Sequence, residues 1–221
     1  AGLRSVFGYN SLVLGDYEAF TNSVPDPRAT QYDILGAEYV VATVPLDQFT
    51  EGEAGLTLLA DTGQGWVYQR PNALPIARLV YEAEIIPEVD AAIFRVHQPD
   101  FDPAQTAVLP TPPACQLGGM GSGTAEILAH TATSWRIRTT SDTAALLVLS
   151  ESAYPGWHVW VDGQAAEWQT AYGVIRAVCV PAGQHEITWE FSPRIFLWGG
   201  LFSLLGLIVL WVAWRKHNAP A

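Results

Sequence analysis

Positive charge is scarce in this chain. Eleven basic residues stand against twenty-two acidic ones over 221 positions, and the single lysine is Lys216. That excludes nucleic acid as a partner, because phosphate binding needs clustered Lys and Arg. Cysteine is limited to Cys115 and Cys179, with no CxxC pair and no Cys/His cluster, which excludes a structural zinc site. The glycine run GGMGSG, Gly118 to Gly123, has no lysine to lead a phosphate into a helix. It reads as flexible linker and not as a phosphate cradle. Asp100 and Asp102 lack the odd-position ladder of a calcium loop and read as turn formers. His97, His130, His158 and His185 sit at unrelated spacings, and neither HExxH nor GxSxG occurs. No catalytic residue, metal or cofactor is assigned.

Long apolar runs are absent until the C-terminus. There Ile195 to Trp214 reads IFLWGGLFSLLGLIVLWVAW, twenty residues without a charge. As a helix this run would be about 30 Å long, the thickness of a bilayer core. The competing reading, a buried core helix, would need a polar face that this run lacks. Trp198 lies near one end and Trp211 and Trp214 at the other, where indole rings favour the interface, and Arg215 and Lys216 follow. The positive-inside rule puts the tail 215–221 in the cytoplasm and the preceding domain outside. With Arg215 and Lys216 set aside, nine basic residues face all twenty-two acidic ones, an excess of thirteen negative charges on that domain. A tail anchor with a cytoplasmic domain is the alternative orientation. The first ten residues, AGLRSVFGYN, carry no apolar signal-peptide core. Export is therefore expected from an upstream segment, which would make this chain a piece of a longer membrane protein.

Periodicity divides the remainder. Residues 1–98 read as a mixed α/β subdomain: Leu12, Tyr17 and Phe20 fall at helical spacing, and Tyr39 to Val44 is a β-branched run. Two strands flank a Gly-rich turn between Leu56 and Gln69, and Pro87 opens a short helix. Residues 99–124 are Pro- and then Gly-rich, as in a linker. Residues 125–192 alternate as strands throughout, which predicts an antiparallel β-sandwich. Ala144 to Ser150 is apolar on both faces and is expected at the centre of a sheet. The predicted fold class is therefore an α+β ectodomain dominated by an antiparallel β-sandwich, followed by one C-terminal transmembrane helix over 195–214. Cys115 and Cys179 either pair as a disulfide or remain separate buried thiols.

The stretch YPGWHVWVDGQ concentrates aromatics around Asp162-Gly163, the favoured pair for a type I′ hairpin. With Val161 opposite Gln164, Trp157 would face Trp168 and His158 would face Glu167. Trp157, Val159, Val161 and Trp168 then share a core face, and Trp160, His158 and Glu167 share the outer one. An outward Trp160 suits a domain or partner contact, ordinary partial burial, or stacking on a sugar ring.

Several phrases together resemble the C-terminal region of YfhO-type bacterial membrane proteins, a multi-span, GT-C glycosyltransferase-like class. They are GYNSLVLGDYEAF (Gly8 to Phe20), YDILGAEYVVAT (Tyr32 to Thr43), WVYQRPNALPIARLV (Trp66 to Val80), FDPAQTAVL (Phe101 to Leu109), LLVLSESAYPGWHVWVDGQ (Leu146 to Gln164) and IRAVCVPAGQHEITWEFSP (Ile175 to Pro193). The resemblance implies an extracytoplasmic domain and the last span of such a protein in a bacterial cell membrane. It also implies sugar transfer from a lipid-linked donor to an envelope acceptor. The acidic residues such enzymes use lie in early outer loops, so none is carried onto this chain. The expected role is non-catalytic: positioning an acceptor or partner. The alternatives are an accessory subunit docked in a larger membrane complex and a sugar-binding module. Expected partners are the lipid bilayer, other membrane segments or subunits, and an envelope glycan.

Overall fold

The computed structural model describes residues 5–7, 14–52, 55–193 and 195–217, with the side chains at 195–198, 201, 212, 213 and 215–217 excepted. In chain order, helices α1 (Gly15–Thr21) and α2 (Thr30–Ile34) precede strand β1 (Tyr39–Ala42). Leu12, expected at helical spacing, lies outside the described residues. Strands β2 (Thr57–Asp61) and β3 (Trp66–Gln69) complete a three-stranded antiparallel sheet of order β1-β3-β2. Strand β4 (Ala77–Val80), β5 (Glu82–Ile85), helix α3 (Val89–Val96) and β6 (Thr106–Leu109) follow. The C-terminal half is strand after strand: β7 (Gly123–His130), β8 (Ser134–Ser141), β9 (Ala145–Ser152), β10 (Trp157–Val161), β11 (Gln164–Ala166), β12 (Trp168–Ala171), β13 (Ile175–Val180) and β14 (Gly183–Phe191). Helix α4 (Ile195–His217) ends the described chain.

Two antiparallel sheets carry the fold. One has the order β11-β10-β14-β8-β7 and the other β12-β13-β9-β4. Their facing residues form one core: Trp135 and Ile137 from β8, Val159 from β10, and Ile187 and Trp189 from β14 meet Leu147, Leu149, Val178 and Val180. The period-2 alternation of SWRIRTTS and QHEITWE supplies this inner face, with Arg136, Arg138, Glu186 and Glu190 on the outer one.

The sheet containing β9 is covered on its other side as well. Leu146 and Val148 join Ile175 and Ala177 against Phe20, Ile34, Val96, Val108 and Leu109 from α1, α2, α3 and β6. This is why β9 is apolar at consecutive positions, as expected of a strand with no solvent face. Each fully buried Leu or Val contributes about 1.5–3 kcal/mol relative to exposure. The Pro/Gly-rich stretch 99–124, expected as a linker, contributes β6 and the buried Phe101. β6 pairs in parallel with β5, and Cys115 is bonded to Cys179 on β13 with a Cα separation of 5.9 Å.

Helix α4 takes in the uncharged C-terminal run. Its described large side chains are exposed, among them Phe202, Leu207, Val209 and Leu210 at 64–67%. Trp211 and Trp214 are exposed as well, and the side chains of Trp198, Arg215 and Lys216 lie outside the described residues. The unbroken described side-chain run within α4 covers only 202–211. Among the described residues, no helix is long and apolar enough to cross a membrane.

Candidate functional site

The aromatic hairpin forms with the expected turn. Asp162 and Gly163 both take positive φ, 50° and 78°, as a type I′ turn requires. Val161 lies opposite Gln164, Trp160 opposite Ala165 and Val159 opposite Ala166. Beyond Ala166 the expectation fails. The chain crosses at Glu167 to the other sheet, and Trp168 opens β12 opposite Val178. Trp157 and Trp168 are therefore not cross-strand partners; instead the Trp168 indole Nε1–H donates to the Trp157 carbonyl at 3.0 Å. His158 lies opposite Glu190 of β14, not Glu167. Trp160, expected to face outward, is half-buried, with the His158 ring 6.1 Å away. Trp157, His158, Trp160, Glu167 and Trp168 still line one recess, of about 360 Å³.

The hairpin tip is pinned to β14 by Asp162. One carboxylate oxygen accepts the Glu186 amide at 2.8 Å, and the other lies 2.6 Å from His185 Nδ1. The hydrogen bond to Asp162 raises the His185 pKa above its ordinary 6.5, and the same bond lowers that of Asp162. A raised imidazole pKa means that the imidazole's contribution to stability is fully present below pH 6.5 and fades as pH rises through the folded-state value. The lowered carboxyl pKa means that the contribution of Asp162 is lost only as pH falls below its ordinary 3.8. We expect the His185 titration, followed by imidazole NMR, to fall back toward 6.5 in Asp162→Asn. An unchanged midpoint would mean that the contact does not exist in solution.

Beneath the recess, in the core between the sheets, sits a cation that the sequence reading missed. Arg176 on β13 is fully buried, with its guanidinium carbon 3.7 Å from the Trp157 ring centroid and 5.0 Å from that of Trp189. Glu151 approaches it at 3.8 Å. An arginine within an apolar strand pattern gives no local sign that it points inward, and only the meeting of three strands makes the stack.

A second, larger concavity of about 1210 Å³ runs between α1, α2 and β1, with Ser150 to Ser152 of β9 contributing to its lining. The buried Arg70 lines it, paired with Asp33 and lying over the Tyr32 ring at 5.5 Å. Burial pushes the Asp33 carboxyl upward against the opposing pull of Arg70. Beside it Ser23 Oγ is 2.9 Å from His97 Nε2, and burial lowers the pKa of that imidazole. The first contact ties the residue after β3 to α2, and the second ties the residues just beyond α1 and α3. They bring no nucleophile, base and orienting acid together.

Comparison with known families gives a match over part of the chain. A family model described as bacterial membrane protein YfhO covers residues 122–203, from just before β7 through β14 and into α4. No curated protein and no solved structure matches the chain.

Proposed function

We propose, on the premise that this chain belongs through residues 122–203 to the YfhO family of bacterial membrane proteins, that it is an extracytoplasmic domain anchored by α4. In this reading α4 spans the bilayer, 215–221 is cytoplasmic, and the β-rich head positions an acceptor or partner for a glycosyltransferase-like membrane protein without doing chemistry itself. Trp160, His158 and Glu167 around the hairpin recess are its contact surface, and Trp198, Trp211, Trp214, Arg215 and Lys216 are its interfacial anchors. The observation that carries the reading is the uncharged run Ile195 to Trp214. It continues as one helix whose described apolar side chains are all exposed, and in water that surface would be unfavourable. The family match extends into the same helix, and the acidic surplus lies entirely ahead of it.

Alkaline extraction of bacterial membranes tests this. The full chain is expected to stay in the pellet, and a variant lacking 195–217 to appear in the supernatant. Protease added outside spheroplasts should digest the head. Full release of the intact chain at high pH would reject the span, and protection of the head would reverse the orientation.

A further inference from the structure

We propose that the outer edge of β1 receives an extended, basic peptide segment as an added strand. The ladder between β1 and β3 sets which backbone groups are free. The Arg70 amide donates to the Glu38 carbonyl at 2.8 Å, which makes Glu38 and Arg70 a hydrogen-bonded pair. Antiparallel pairs alternate, so Val40–Tyr68 and Ala42–Trp66 are bonded pairs while Tyr39–Gln69 and Val41–Val67 are not. The N–H and C=O groups of Tyr39 and Val41 therefore point away from β3. Among the described residues no other strand lies beside β1 there, because it ends its sheet. The large concavity is lined by Glu38, Tyr39, Val40 and Val41, so the free edge faces an open groove. β1 lacks the lysine, proline or bulge that usually blunts an edge, and Val41 is 77% exposed.

Charge selects the occupant. Among the described arginines ahead of α4, Arg28, Arg95, Arg136 and Arg138 are held by carboxylates at 2.7–3.3 Å. Arg70, Arg78 and Arg176 are buried. The surface is left with the acidic excess, and Glu38 borders the groove. A strand bearing lysine or arginine gains main-chain pairing along the edge and charge attraction from the walls.

The probe is a short, labelled peptide of alternating lysine and valine, titrated into the full chain in neutral detergent and read by fluorescence anisotropy. Its fully N-methylated form keeps every charge and loses every amide donor. The unmethylated peptide is expected to bind at least about tenfold more tightly, with added hydrogen-exchange protection over 39–42. Val41→Pro removes an outward N–H without touching the β3 ladder, and it should bring the unmethylated peptide down to the N-methylated level. Equal binding of the two peptides, full binding by a folded Val41→Pro variant, or no binding at all overturns the proposal. Should Val41→Pro fail to fold, the peptide comparison decides by itself. The membrane reading is decided separately, by alkaline extraction.

Discussion

Replacing Arg176 with alanine is expected to cost the fold about 3–5 kcal/mol, seen as a lower urea midpoint by near-UV circular dichroism. The guanidinium has no solvent exposure and lies against two indole faces. Truncation removes a cation–π contact, opens a void between Trp157 and Trp189, and leaves the partly exposed Glu151 without its cation. Arg176→Met separates these effects. It keeps most of the volume and the stacked stem and discards only the charge, so it should lose clearly less than alanine. A domain of this kind is stable by about 5–15 kcal/mol, so the alanine variant would stand near its unfolding threshold at 37 °C. If alanine and methionine were equally tolerated, the stack would carry no weight in the fold.

Loss of the Cys115–Cys179 bond is expected to cost about 4 kcal/mol, the loop-closure value for cysteines 64 residues apart. The bond ties the stretch that follows β6 to β13, the neighbour of β9. Without it the run of prolines between Leu109 and Cys115 is tethered mainly through Gln169, whose side-chain amide donates to Thr111 Oγ1 and the Pro112 carbonyl. The check is a urea melt with and without reductant, alongside Cys179→Ser. Coincident melts would mean that the thiols are not joined in the isolated protein. A bond of this kind persists in an oxidising compartment, as the extracytoplasmic placement proposed above requires.

Much of the C-terminal half was legible because its signals are local. Asp162-Gly163 specifies its own turn, and the alternation in β8 and β14 separates core from solvent residue by residue. The doubly apolar β9 announces a strand between two layers. What stayed hidden depends on distant partners. Glu167 seemed to face His158 only because a local register was continued past Ala166. The claim of β12 on Trp168 comes from β13, ten residues further on. β6 was masked by the prolines around it, since a parallel partner such as β5 leaves no hairpin signature. Arg176 reads as an ordinary solvent-facing strand residue until Trp157 and Trp189 are brought over it. The pairing of the two cysteines needed a Cα distance, which composition does not contain.

β9 has one further consequence. It shares Leu147 and Leu149 with one core and Leu146 and Val148 with the other, and β4, which comes from the N-terminal half, closes its open side. The two cores therefore have no seam along which to come apart. A fragment cut down to 122–203 would expose an oily flank and a naked β-ladder, an invitation to aggregate. The family signature marks a stretch of sequence, while the smallest piece able to stand by itself must reach back through α1.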